Sequence, residues 1–375
     1  MKTVYLDYNA STPIAPEVVA AMEPYLRGHF GNPSSQHWAG APAKVGVERA
    51  RSQVAALLGC HDDEVVFTSG GTEANNHAIK GAFFAHRRIG THIITTQIEH
   101  PAVLAPCRFL ENLGAEVTRL PVDGTGMVDP DDVRRAITSR TILVSVMHAN
   151  NEVGTIQPIA EIARITHERD VLLHTDAAQS AGKISVSVDA LGVDLLSVAG
   201  HKLYAPKGVG ALFVRRGVTI EAFMHGAGHE SGRRAGTENV VFAVALGAAC
   251  ALAVSDAESE RVRIIALREH FHAGLNRLLG TAIRLNGPAE RRLPNTLNVC
   301  FDGRIGSDVL VELEGVAAST GSACHSGRHE LSPVLRAMGV PEWLGLGAVR
   351  FSLGRGTTRE EIDHVLNLME QKLTG

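Results

Sequence analysis

Two short apolar runs in the middle of the chain each end in polar residues. Val171–Leu173 leads into HTDAAQ, and Val193–Val198 leads into AGHKLYAPKG. We therefore expect Asp176 and Lys202 at the carboxyl ends of two buried strands, among small residues. An amine in that position can form a Schiff base with pyridoxal phosphate, and a carboxylate can keep the pyridine nitrogen protonated. The residues alone leave another interpretation open, because a lysine in a glycine-rich turn is more often a solvated surface residue.

Strand-like and helical patterns alternate through the first half of the chain. Apolar stretches such as His92–Thr96 and Gly210–Val214 are separated by amphipathic stretches such as Ile159–Arg169. This alternation predicts an α/β fold whose mostly parallel sheet is covered by helices. Ligands of such folds bind at the carboxyl ends of the strands. The residues that follow predicted strands are therefore candidates for a single site: Ser69, His100, Asn151, Asp176 and Lys202.

The stretch SGGTEANN (Ser69–Asn76) links a predicted strand, Glu64–Thr68, to a predicted helix, Asn75–Ala85. Glycines at such a turn leave backbone N–H groups free at the positive end of the helix dipole, where a phosphate can bind. Many similar turns only cap a helix, so the turn by itself does not establish an anion site.

Composition narrows the class of protein. The 375 residues are 45% hydrophobic and carry a net charge of −4, which argues against nucleic acid as a main partner. No apolar run reaches the roughly 18 residues of a membrane helix, and the N-terminus lacks the apolar segment of a signal peptide, so we expect a soluble cytoplasmic protein. The five cysteines are scattered without a C-x-x-C pair, so we expect neither a disulfide framework nor a thiolate zinc site.

Eleven sequence blocks, taken together and in order, resemble the cysteine desulfurases of the class V aminotransferase family. They are LDYNASTP, GNPSSQH, FTSGGTEANN, EHPAV, MHANNEVG, HTDAAQ, GHKLYAPKG, RAGTEN, LPNTLNV, GSACHSG and VRFSLGR. The resemblance implies a pyridoxal-phosphate-dependent homodimer of fold type I. It also implies a large cofactor domain, here residues 14–256, and a smaller α+β domain formed by residues 1–13 and 257–375.

The same resemblance suggests roles for individual residues around the cofactor. Lys202 is implied as the Schiff-base lysine and Asp176 as the partner of the pyridine nitrogen, with His100 stacked on the ring and assisting proton transfer. Without the family context, ordinary loop packing ahead of Pro101 would be the more common state of a residue such as His100. The remaining cofactor contacts implied are Asn151 and Gln179 at the ring oxygen, Gly71, Thr72 and His201 at the phosphate, and Thr237 at the phosphate of the neighbouring subunit.

On the substrate side, the resemblance implies that Arg350 binds the α-carboxylate, with Asn32 and His37 at the mouth of the site. A surface salt bridge is the usual role of an arginine, but Arg350 lies within an apolar strand pattern. Cys324 lies between glycine and serine residues and is the expected sulfur nucleophile, since a thiolate can take sulfur from the substrate and pass it on. Cys250 and Cys300 lie in apolar patterns that suit buried hydrophobic residues.

The resemblance thus implies conversion of L-cysteine to L-alanine, with a persulfide on Cys324 and transfer of the sulfur to an acceptor protein, such as an iron–sulfur scaffold or a thiolation enzyme. One position departs from the family. A serine that donates to the phosphate commonly stands three residues before the lysine, and here that residue is Ala199. Selenocysteine lyases also lack this serine, so selenocysteine lyase is the alternative. A non-catalytic interaction subunit and a simple aminotransferase are weaker alternatives, because Lys202, Asp176 and Cys324 are all present.

Overall fold

The computed structural model describes residues 3–320 and 330–373. The strands are β1 (Val4–Tyr5), β2 (Val65–Thr68), β3 (His92–Thr96), β4 (Glu116–Leu120), β5 (Thr141–Ser145), β6 (Leu172–Asp176), β7 (Leu195–Ala199), β8 (Gly210–Val214), β9 (Ile283–Leu285), β10 (Thr296–Phe301), β11 (Val316–Ala317) and β12 (Ala348–Ser352).

The helices are α1 (Pro16–Arg27), α2 (Gly40–Leu58), α3 (Gly71–His86), α4 (Pro101–Glu111), α5 (Pro130–Ala136), α6 (Ile159–His167), α7 (Val188–Leu191), α8 (Val240–Ser255), α9 (Ala257–Leu279), α10 (Gly306–Glu312), α11 (Pro333–Ala337), α12 (Glu342–Gly345) and α13 (Arg359–Leu373).

A seven-stranded sheet forms the centre of the molecule, in the order β2-β8-β7-β6-β5-β3-β4. The strands from β7 to β4 pair in parallel, whereas β8 is antiparallel to both of its neighbours, β2 and β7. Every residue of β5 and β7 is buried, as expected for strands covered on both faces. The α/β fold with a mostly parallel sheet predicted from the sequence is confirmed.

A separate hydrophobic core lies around the three-stranded sheet β12-β10-β9. Its buried residues come from both ends of the chain, with Val4 and Leu6 packed among residues between Ile264 and Leu373. The core on one face of the large sheet is built from residues between Ala15 and Ala253. These two cores support the division into residues 14–256 and residues 1–13 with 257–375, which we keep as a proposal.

No single helix among residues 3–320 and 330–373 has the length and apolar composition needed to cross a membrane. The segments Val240–Ser255 and Ala257–Ala282 pass that test only as a pair, and the pair is bent by 75°.

Candidate active site

A cavity of about 650 Å³ lies at the carboxyl edge of the large sheet. Its walls come from the turns that follow β2, β3, β6 and β7 and from β12, so chain segments far apart in sequence meet there. The cavity brings together nine of the residues predicted from the sequence: Gly71, Thr72, His100, Asn151, Asp176, Gln179, His201, Lys202 and Arg350.

Lys202 ends a short helical turn, Gly200–Lys202, directly after β7. Its amine makes no hydrogen bond or ion pair with any residue that the structure describes, and the side chain lines the cavity. Burial lowers the pKa of Lys202, Arg350 adds to this effect, and Asp176 opposes it. The cavity therefore contains a partly desolvated amine that is free to react.

Asp176 is the last residue of β6 and is buried. Its Oδ2 accepts a hydrogen bond of 2.6 Å from Asn75 Nδ2, and its Oδ1 accepts one of 2.9 Å from the backbone N–H of Ala178. These donors fix the plane of the carboxylate at the cavity wall. Sequence reasoning gave Asn75 no role, although its position four residues after Gly71 puts it one helical turn into α3, on the side of that glycine.

His100 caps the first turn of α4, and Pro101 follows it at a position where proline is favoured. Its Nδ1 accepts a hydrogen bond of 3.0 Å from the backbone N–H of Ala102, so the neutral ring carries its proton on Nε2. Burial lowers the pKa of His100, the charge of Lys202 lowers it further, and Asp176 opposes both. The imidazole is therefore neutral near pH 7 and keeps an N–H donor that the helix cap does not use.

The N-terminus of α3 forms another part of the wall. Gly70 has φ of 147°, a conformation that favours glycine, and a Cβ on Gly71 would lie 3.1 Å from the Cβ of Ala199. This close approach leaves the first N–H groups of the 16-residue helix beside the cavity. Burial and the charges of Lys202 and Lys207 lower the pKa of His201 to about 4, so its ring is neutral there.

Arg350 lies on β12 and is buried, which confirms that it is not a surface arginine. Its Nη2 donates to Asp7 Oδ1 at 2.7 Å, and its Nη1 donates to the carbonyl oxygen of Asn151 at 3.0 Å. Its Nε is buried and has no hydrogen-bond partner among the described residues. A buried guanidinium with an unsatisfied donor at a cavity wall is suited to a carboxylate ligand. Sequence reasoning assigned no role to Asp7.

Three predicted residues lie outside this cavity in the single chain. Thr237, Asn32 and His37 are exposed, and none of them lines the cavity wall. The role of Thr237 at the phosphate of a neighbouring subunit stays a prediction. Cys324 lies outside the described residues.

Comparisons with known proteins agree on one family. A profile of the aminotransferase class-V family matches residues 4–365. A protein named cysteine desulfurase IscS, from Dictyoglomus turgidum, is 49% identical over 372 residues, which cover 99% of this chain and 94% of that protein. A solved structure titled NifS-like protein is 38% identical with a TM-score of 0.93, covering 99% of each chain. Another, titled SspA in complex with cysteine, is 37% identical with a TM-score of 0.84, covering 94% of this chain and 99% of that one. The resemblance inferred from the sequence blocks is thereby confirmed, and this chain belongs to the aminotransferase class-V family.

Proposed function

We propose that the protein is a pyridoxal-phosphate-dependent cysteine desulfurase, which converts L-cysteine to L-alanine and passes the sulfur to an acceptor through Cys324. The main support is one observation. The Lys202 amine has no partner in the described chain, and it lies in one cavity with Asp176, His100 and Arg350. The relative named cysteine desulfurase and the neighbour solved with cysteine favour this activity over selenocysteine lyase.

The residues of the cavity suit the cofactor. The free N–H groups at Gly71 and Thr72 and the neutral ring of His201 would hold a phosphate. Asp176, held by Asn75, would face the pyridine nitrogen, and Lys202 would carry the covalent link. When bound, pyridoxal phosphate supplies an electron-withdrawing ring that makes the Cα–H of an amino acid acidic.

The side chains around that ring would bind the substrate and move its protons. Arg350 would bind the α-carboxylate through its unpaired Nε and through hydrogens that Asp7 and Asn151 leave free. Lys202, whose pKa burial lowers, would take the α-proton as a neutral amine. His100 would donate from Nε2 near the leaving sulfur, because its Nδ1 is occupied by the cap of α4.

Sulfur transfer needs a thiolate, and the other cysteines are poor candidates. Burial raises the pKa of Cys60 and Cys107 to about 12, and it also raises the pKa of Cys250 and Cys300. These are the free cysteines of residues 3–320 and 330–373, so Cys324 is the proposed nucleophile. Its sulfur would bond to the substrate sulfur as the Cβ–S bond breaks. The bonding electrons return to the substrate carbon, which takes a proton and leaves as alanine, and a persulfide stays on the protein.

A homodimer is part of the proposal. Phe30 and Trp38, which flank the GNPSSQH loop, are 80% and 84% exposed in the single chain. Aromatic side chains are enriched at protein interfaces, and these two are separated by only seven residues. In a dimer, Thr237 would meet the partner's phosphate site, and Asn32 and His37 would lie at the mouth of a site. The sulfur acceptor, an iron–sulfur scaffold or a thiolation enzyme, is proposed on the resemblance alone.

The test measures alanine and sulfide formed from L-cysteine with a reductant and added pyridoxal phosphate. We expect Lys202→Ala to lose all turnover and Cys324→Ser to lose turnover of cysteine while it keeps the absorbance of the bound cofactor. Cys60→Ser, which removes a partly exposed thiol of the described chain, is the matched control and should retain full activity. Unimpaired cysteine turnover by Cys324→Ser would rule out the persulfide route, and selenocysteine as the only substrate of the unmodified enzyme would favour the lyase.

A further inference from the structure

Lys183 is a partly buried lysine to which the proposed reaction gives no role. It follows β6 by seven residues, and its Nζ donates to Gln179 Oε1 at 2.9 Å and to Asn9 Oδ1 at 3.2 Å. Both acceptors are neutral amide oxygens, and no carboxylate among the described residues forms an ion pair with Lys183. A cation that has little solvent and no counter-ion is costly, so a lysine kept in such a place calls for an explanation.

The surroundings of Lys183 disfavour the protonated form of its amine. Burial lowers the pKa of Lys183 to about 7, and the charges of Lys202 and Arg350 contribute to the effect. A second cavity, of about 50 Å³, is shared by Lys183 and Lys202, and its other ionisable lining residues are Tyr204, Glu260, Arg261 and Arg355. A neutral amine still has two N–H donors, which match the two amide oxygens. The hydrogen bonds of Lys183 therefore survive its deprotonation.

Two hydrogen-bonded paths lead from Lys183 to the wall of the main cavity. On the first path, Gln179 accepts from Lys183 through Oε1 and donates through Nε2 to the carbonyl oxygen of Asn9 at 2.9 Å. On the second path, Asn9 accepts from Lys183 through Oδ1 and donates through Nδ2 to the carbonyl oxygen of Asn151 at 3.2 Å. Gln179 is one of the two residues expected at the ring oxygen of the cofactor, so the first path reaches that position directly. The second path ends at the backbone of Asn151, and the other Nδ2 hydrogen of Asn9 is donated to Thr296 Oγ1 at 2.8 Å.

We propose that Lys183 is a positioning residue that fixes the amide of Gln179 and strengthens its hydrogen-bond donation toward the oxygen of the bound ring. The proposal rests on the proposed function. A donor at Gln179 Oε1 holds the amide with its nitrogen toward Asn9 and leaves one Nε2 hydrogen for the cavity. Hydrogen bonds in such a chain polarise one another, so the amide donates more strongly while Lys183 is in place.

The sign of the effect follows from the chemistry of the ring. Lys202 would be joined to the bound cofactor through a nitrogen that can lose its proton. Gln179, as a hydrogen-bond donor to the ring oxygen, would withdraw electron density from that oxygen and so lower the pKa of the nitrogen. Loss of Lys183 weakens the donor, so the pKa of the nitrogen rises, and the colour change of the bound cofactor moves to higher pH.

The experiment records the absorbance of the cofactor-loaded protein against pH for four forms: unmodified, Lys183→Met, Gln179→Ala and the double variant. We expect Lys183→Met to raise the midpoint by about one pH unit. In the Gln179→Ala background, Lys183→Met should raise the midpoint by less than about 0.3 unit, because the hydrogen-bonded path through Gln179 is already absent. Lys44→Met, at an exposed lysine paired with Glu48, is the matched control and should leave the midpoint unchanged.

The outcomes separate this inference from the proposed function. If the unmodified protein gains no absorbance with pyridoxal phosphate, the proposed function fails. If it does, an unchanged midpoint in Lys183→Met overturns the role of Lys183, and equal shifts in both backgrounds show that its charge acts without Gln179, which also overturns it. Lys183→Arg, which keeps the donors, should stay near the unmodified midpoint. If Lys183→Met does not fold, Lys183→Gln replaces it, with a smaller upward shift expected and no shift contradicting the proposal.

Discussion

The two ends of the cavity are built in different ways. At the sheet edge, Asp176 and Lys202 each lie within three residues of a strand end, so the parallel sheet alone brings them together. At the other end, Arg350 is held by Asp7, 343 positions away, and by Asn151, 199 positions away. The end proposed for the cofactor is therefore formed by one sheet, whereas the end proposed for the substrate forms only where the first and last parts of the chain meet.

The largest expected effect lies at the sheet edge. Asp176→Asn removes the charge that would keep the pyridine nitrogen protonated while the side chain keeps its shape, and we expect turnover of cysteine to fall on the order of 1,000-fold. Steady-state alanine formation measures the loss, and the cofactor should still bind. Asp189→Asn, at an exposed aspartate paired with Arg215, is the control and should be unaffected. A loss of less than tenfold would contradict the assigned role of Asp176.

A change at the substrate end should affect a different quantity. Arg350→Met removes charge-assisted hydrogen bonds to the substrate carboxylate worth about 1.5–3 kcal/mol, so kcat/KM for cysteine should fall roughly 10- to 150-fold. The absorbance of the bound cofactor should not change, and this sharpens the contrast between the ends. Arg216→Met, at an exposed arginine paired with Asp63, serves as the control. Weaker binding of the cofactor together with an unchanged KM for cysteine would show that Arg350 serves the cofactor and not the substrate.

Ala199, where the family commonly has serine, allows a gain in affinity for pyridoxal phosphate to be tested. Ala199→Ser would place a hydroxyl beside Gly71 at the phosphate end, and one hydrogen bond to a charged group is worth about 1.5–3 kcal/mol. We expect the Kd of pyridoxal phosphate to fall about 10-fold or more, measured by equilibrium titration of the apoprotein. Ala160→Ser, on an exposed position of α6, should leave the Kd unchanged. No gain would indicate that another donor already serves the phosphate.

The smallest effect is expected at Asp7. Asp7→Asn keeps an oxygen for Arg350 Nη2 but removes the negative charge, so the guanidinium is oriented less firmly. We expect the KM for cysteine to rise about fivefold, which corresponds to about 1 kcal/mol, with kcat nearly unchanged. A fall in kcat instead would place Asp7 in the chemistry and not in the positioning of Arg350.

The same contrast explains what the sequence can predict. The strands His92–Thr96 and Gly210–Val214 have the bounds that the apolar pattern predicts. The helix predicted from Asn75 begins instead at Gly71, because glycines that signal a turn here supply the first helical N–H groups. The four-residue helices α7 and α12 were not predicted, since they are too short for a 3.6-residue period to show.

The site shows a similar division. Asp176 and Lys202 could be placed from strand ends alone, because period and burial act locally. The partners Asn75, Asp7 and Lys183 could not, since their roles depend on contacts made by the finished fold. Arg350 was expected at the substrate only through the family blocks. For such residues, a hydrophobic pattern predicts whether the side chain is buried but not which residue it contacts.

The N-terminal segment has a consequence for how the protein is made. The backbone N–H of Asn9 donates to Ser352 Oγ at 2.9 Å, and Asp7 forms an isolated β-bridge with Ser352. A ribosome synthesises the chain from the N-terminus, so these first residues have no lasting contacts of this kind until almost the whole polypeptide has emerged. The large sheet can form earlier, since its strands end at Val214. A nascent chain would thus contain Lys202 at the sheet edge well before Arg350 and Asp7 could come together to bind a substrate carboxylate. Products truncated before Arg350 would lack that binding group entirely.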